Sequence, residues 1–146
     1  MKIYLAARYG RRAEIAKYGE KLTALGHTIT SRWLKGLHSL PDGVTLERKI
    51  EQLDPEVRHR IEEFAFEDVA DVLEADLVIS FTETGPTPRG GRHVEFGIAY
   101  AVGKKLWVVP QRENIFHWLP KVESMTWEEA VKRLTVPDIE LPAESD

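Results

Sequence analysis

Short apolar runs alternate along the chain with stretches of helical periodicity, the sequence form of repeated strand–helix units. "KIYLAA" (2–7) reads as a strand, and in "RRAEIAKYGEKLTALG" Ile15, Tyr18, Leu22 and Leu25 recur at helical spacing until Gly26 ends the helix. "HTITSRW" (27–33) is rich in β-branched residues and predicts a second strand, and "LKGLHSLPDG" carries the Gly, Pro and Asp of a loop. Pro55 opens a helix that places Ile61, Phe64, Ala65, Val69 and Val72 among acidic residues. "ADLVISF" (75–81) is the clearest buried strand, followed by the loop "TETGPTPRGG" and the apolar helix "GRHVEFGIAYAVG". "KLWVVP" (105–110) predicts a further strand, "QRENIFHWLP" a loop and "TWEEAVKRL" a short helix. The pattern predicts an α/β fold, a single-domain doubly wound parallel sheet, with ligands at the carboxyl ends of its strands.

Composition narrows the picture. At 146 residues and 42% hydrophobic content the chain fits one domain with a real core. We expect that domain over residues 1–134, and a partly disordered tail over 135–146, where prolines and acids accumulate. The net charge of −4 arises from 24 acidic and 20 basic residues that are well mixed. No basic stripe stands out, so nucleic acid is not an expected partner. The absence of cysteine excludes disulfides, thiolate metal sites and a cysteine nucleophile. Residues 1–7 are too short for a signal segment and are followed by Arg8, Arg11 and Arg12. No stretch is long enough to span a bilayer, so no membrane partner and a cytoplasmic location are expected.

One position does not fit a purely structural pattern. Glu95 lies inside an apolar helical run, where an unpaired ionised carboxylate would cost several kcal/mol (of order). Placed in the first turn of that helix, it would meet free amides and the macrodipole, worth about 0.3–1 kcal/mol, and stay ionised. On spacing alone Glu95 fits an ordinary helix-start carboxylate as well as a poised nucleophile. Gly90 and Gly91 before it have no Cβ and would let a ligand approach the backbone. The strand ends put Ala6, Trp33, Phe81 and Pro110 on the same rim. Tyr4 reads as a core tyrosine in need of a hydroxyl partner, Asp68 as a solvated or capping acid, and His93 as a general base or a hydrogen-bonding residue. No His and acid spacing suits a metal, and no Ser-His-Asp set can be assembled, so no metal is expected.

"KIYLAARYGRRAE", "FEDVADVLEADLVISFTE", "GGRHVEFGIAYAVGKKLWVV" and "RENIFHWLP", in this order over residues 1–120, resemble the nucleoside 2-deoxyribosyltransferase family. The resemblance implies a flavodoxin-like (Rossmann-like) domain that assembles into dimers or hexamers with shared active sites. It implies a retaining N-glycosyl transferase that exchanges the base of a 2'-deoxyribonucleoside through a covalent deoxyribosyl-glutamate, with no metal and no cofactor. The substrates would be small molecules, 2'-deoxynucleosides and free nucleobases. By the same resemblance Glu95 matches the nucleophile, Tyr4 the tyrosine that holds it, and Asp68 the aspartate that protonates the base, with Asp76 nearby. Asn114 matches an asparagine that reaches a neighbouring subunit's sugar. Ala6, Gly91, Arg89 and Arg92 complete the substrate-binding set.

Arg89 departs from the pattern, standing where some transferases carry an aspartate. With Arg8, Arg11, Arg12 and Arg92 it raises the alternative of a 2'-deoxynucleoside 5'-monophosphate N-glycosidase, because arginine forks suit phosphate. A third reading is a catalytically inactive nucleotide-binding or sensing domain, since a fold alone does not carry a function.

Overall fold

The structure is a computed structural model that describes residues 1–36, 38, 53–84 and 90–135. Five parallel strands form one sheet in the order β2-β1-β3-β4-β5: β1 (Lys2–Ala6), β2 (Thr28–Ile29), β3 (Leu77–Phe81), β4 (Lys105–Val109) and β5 (Val122–Ser124). Helices α1 (Arg12–Ala24), α2 (Pro55–Glu74), α3 (Gly91–Ala101) and α4 (Trp127–Thr135) connect or follow them. α2 and α3 pack together on one face. On the other, Tyr18 of α1 stacks between Phe81 and Trp127, with ring centroids 5.3 and 4.4 Å away. The expected doubly wound parallel sheet is therefore observed.

Burial on both faces explains why β1, β3 and β4 read as nearly unbroken apolar runs. Ile3, Leu5, Leu77, Val78, Ile79, Leu106 and Val108 form the centre of the core. The helix ends are equally local. Gly26 and Gly103 take positive φ, and each closes a paired C-terminal motif: Gly26 N–H to Thr23 O with His27 N–H to Leu22 O, and Gly103 N–H to Tyr100 O with Lys104 N–H to Ala99 O. Asp54 caps α2 by accepting from the Glu56 amide, with Pro55 at the first helical position.

Three expectations need correction. The second strand is only Thr28–Ile29, not 27–33. Beyond it, side chains replace the ladder: the Leu5 amide donates to Ser31 Oγ at 2.6 Å and the Trp33 indole N–H donates to Leu5 O at 2.9 Å, so the chain curls into a 3₁₀ turn at Arg32–Lys35. β5 is a strand that the pattern did not show, because three residues are too few to display a period. Thr135 belongs to α4, while 136–146, the rest of the expected tail, lies outside the described residues.

The order 2-1-3 makes the gap between β1 and β3 the topological switch point, where the crevice of an open α/β sheet forms. Tyr4 pairs with Val78 and Ala6 with Ser80 across it. This brings the end of β1 beside the loop that leads into α3. Among the described residues, no helix is long and apolar enough to cross a membrane.

Candidate active site

Alternation along β1 turns Tyr4 toward the α2/α3 face, where it is completely buried. Its hydroxyl donates to Glu95 Oε2 at 2.7 Å, joining two residues 91 positions apart. Burial, reinforced by the Glu95 charge, raises the Tyr4 pKa well above 10, so Tyr4 is a neutral donor.

Glu95 is the fifth residue of α3, in its second turn rather than its first. That changes its electrostatics. The helix-end field fades within the first turn and supplies about 0.3–1 kcal/mol, whereas burial dominates here and pushes the Glu95 carboxyl up from 4.5 to about 8. The Tyr4 hydrogen bond opposes that rise, and the charges of Asp68 and Asp71 add to it. The expectation of a carboxylate held ionised by amides is thus corrected: burial makes the protonated form prevail near neutrality.

Asp68 comes from α2, on the same side. Burial raises it to about 6; His38 and Arg32 pull it down, and Asp71 and Glu67 push it up. Its field reaches both Tyr4 and Glu95. Asp68 Oδ1 is buried and has no hydrogen bond among the described residues, although His38 Nδ1 stands 3.3 Å away. His38 is fixed by stacking on Phe64, with centroids 4.5 Å apart, and by Nε2 at 3.0 Å from Glu67 Oε1. Its other ring nitrogen, Nδ1, faces Asp68. Asp71, one turn further along α2, accepts from Arg32 N–H at 3.0 Å and Nε–H at 2.9 Å.

Tyr4, Glu95 and Asp68 are therefore brought together as the sequence suggested, and the other candidates are placed differently. Gly91 opens α3, and a Cβ there would meet no atom of the described residues within 4 Å. Ala6 is buried two residues beyond Tyr4 on the same face. Asn114 caps a 3₁₀ turn, accepting from Phe116 N–H at 2.9 Å, and lines a cavity of about 320 Å³ with His93, Phe96 and Phe116. None of Tyr4, Asp68 and Glu95 lines that cavity.

Arg92, expected at the substrate, is 4% exposed and forks onto both carboxylate oxygens of Glu113. Arg11 binds Glu14, Glu83 and Thr82 O, and Arg8 stands 3.6 Å from Glu83. Arg12 lies over the Tyr9 ring at 5.8 Å. Arg89 lies outside the described residues. His38, Glu67, Asp71 and Glu113 were not foreseen. Glu113 adjoins Asn114 in a motif already singled out, and that adjacency was the available signal. His38 had none, being 30 positions from Asp68 in a loop.

No family model matches the sequence, and no curated protein matches it. Solved structures do match. A CMP N-glycosidase of Clostridium botulinum, BcmB, superposes with a TM-score of 0.56 at 18% identity, covering 94% of this chain and 100% of that one. A 2-deoxyribosyltransferase of the psychrotolerant bacterium Bacillus psychrosaccharolyticus gives 0.63 at 20% identity, with 97% and 95% covered. This chain has their fold. The likeness extends over nearly the whole of each molecule and concerns the arrangement of strands and helices.

Proposed function

We propose that this protein is a nucleoside 2-deoxyribosyltransferase that cleaves the N-glycosidic bond of 2'-deoxyribonucleosides and passes the sugar to a second base. The observation that carries this reading is the Tyr4–Glu95 hydrogen bond at the switch point, with Asp68 acting on the same carboxyl. The fold shared with a deoxyribosyltransferase and an N-glycosidase supports it. In the first step an oxygen of the Glu95 carboxylate bonds to C1' as the C1'–N bond breaks. The bonding pair stays on the base nitrogen, which takes the Asp68 proton. The transition state is oxocarbenium-like, and the product is a glycosyl ester. An incoming base then attacks C1', Glu95 leaves as a carboxylate, and the proton of that base returns to Asp68.

Tyr4 serves this chemistry by favouring the ionised form of Glu95. Tyr4→Phe removes a hydrogen bond to a charged group, worth about 1.5–3 kcal/mol, so kcat should fall roughly 10- to 150-fold. The Glu95 pKa should also rise further, because this bond is what lowers it. Carbonyl NMR titration of Glu95 in the variant checks the second effect, and an unchanged titration would show that the contact does not tune the nucleophile.

A second reading is hydrolysis of a nucleoside 5'-monophosphate, favoured by the likeness to the CMP N-glycosidase. Against it, Arg11 and Arg92 are already engaged by carboxylates. We expect a 5'-phosphate to lower kcat/KM, and an increase on phosphorylation would favour the glycosidase.

The proposed enzyme is a homo-oligomer with shared sites. Phe66, Val69 and Leu73 on α2, and Val94 and Ile98 on α3 with Val102 at its C-cap, recur at helical spacing and remain exposed or half-buried on two helices that pack together. Ile115, Phe116 and Trp118 beside Asn114 are 77, 59 and 71% exposed. A second copy covering this apolar face would bring Asn114 to its neighbour's site. Mixing inactive Glu95→Gln subunits with impaired Asn114→Ala subunits should then raise activity above that of either alone, through hybrid sites. No recovery after verified subunit exchange would contradict sharing.

A further inference from the structure

We propose that Glu113, through its ion pair with Arg92, is a positioning residue that ties the helix carrying Glu95 to the loop carrying Asn114. Three segments converge on it. Arg92, one turn before Glu95 on α3, forks onto its carboxylate, with Nη2 at 3.0 Å from Oε2. The Glu83 amide, in the loop after β3, donates to Oε1 at 3.1 Å. The backbone N–H of Glu113 itself donates to Nδ1 of the fully buried His117 at 3.0 Å, closing the turn that begins at Asn114.

The His117 ring packs in turn against Phe96 of α3 at 4.9 Å, and His93 Nε2 lies 3.9 Å from Glu113 Oε2. One residue, through its carboxylate and its backbone N–H, thus joins α3, the loop after β3 and the 3₁₀ turn. A bidentate fork sets orientation as well as distance. Asn114 is the next residue along the chain, so its amide is placed by whatever holds Glu113. Arg92 is therefore not a phosphate reader here, and Glu113 is part of the apparatus that presents Asn114.

The proposal rests on the reading of Asn114 as a sugar contact, and its test has one arm independent of that reading. If Glu113 acts through Asn114, Glu113→Gln should raise KM about tenfold with kcat within about threefold, the signature of lost binding common to ground and transition states. In an Asn114→Ala background the same change should add less than about twofold, since coupled residues are not additive. The pair Arg92→Met/Glu113→Leu removes both charges together and so avoids a stranded buried cation. It should fold and show the same KM defect.

The independent arm is hydrogen exchange. Amides of 113–119 should exchange faster in Glu113→Gln than in wild type, with β1 unchanged. An unaltered KM, a defect that persists in full without Asn114, or unaltered exchange at 113–119 would overturn the proposal. If the wild type turns over no nucleoside, the functional reading fails and exchange alone decides whether Glu113 holds the loop.

Discussion

Glu95→Gln is expected to abolish base release and, above pH 8, to yield a protein more stable than the wild type. The two effects share a cause. Without a nucleophilic oxygen no glycosyl ester forms, and the rate should fall by about a thousandfold or more. The folded protein holds the Glu95 proton up to about pH 8, while the unfolded chain releases it near 4.5. Stability from this group is therefore complete below pH 4.5, declines as pH rises between these values and is gone above about 8. Each unit of the difference is worth about 1.4 kcal/mol before allowance for remaining solvent contact. Glutamine has no proton to lose and escapes that decline. Thermal melts of both proteins at pH 5 and 9 check the claim, with about 2–4 °C expected per kcal/mol. Equal pH slopes would mean that Glu95 is not a buried acid.

The second large effect concerns the proton shared by two carboxyls. With Glu95 near 8 and Asp68 near 6, the pair carries one proton between those values. Catalysis needs that proton on Asp68 and the charge on Glu95. The Tyr4 hydrogen bond and the positive charge growing at C1' both favour that arrangement. Below about pH 6 both are protonated and the nucleophile is lost; above about 8 both are ionised and the base lacks its proton. The profile of kcat/KM against pH should therefore be a bell with limbs near 6 and 8, belonging to the pair rather than to either residue.

Asp68→Asn should reduce the rate by about 10²–10⁴-fold. The bell should become a single rise with pH as Glu95 ionises. Its midpoint should lie below 8, because the Asp68 charge that raised it is gone. A variant that kept both limbs would place the acid elsewhere. His38, at 3.3 Å from Asp68, lowers that group when charged, so His38→Gln should move the acidic limb upward.

Much of this architecture was legible in the chain, for identifiable reasons. β1, β3 and β4 are buried on both faces, so their composition announces them, and Gly26 and Gly103 mark helix ends by a conformation that most residues avoid. The second and fifth strands are two and three residues long, and what holds 30–33 in place is side-chain hydrogen bonding from Ser31 and Trp33, which has no period. At the candidate site, Tyr4, Asp68 and Glu95 were found by resemblance. Local sequence could not give the sign of Glu95's electrostatics, because displacement by one helical turn exchanges a field of free amides for a partly buried contact with Tyr4. His38 and Glu113 act across the fold, through Asp68 and Arg92, and only the packed structure brings those partners together.

The central claim is that Glu95 carries the sugar. Incubating the protein with 2'-deoxyinosine, quenching in acid and mapping its peptides by mass spectrometry tests this directly. A deoxyribosyl ester on the peptide containing Glu95, with hypoxanthine released in equal amount and neither seen for Glu95→Gln, is the predicted result. Hypoxanthine released with no sugar on Glu95, or release that survives Glu95→Gln, would contradict it.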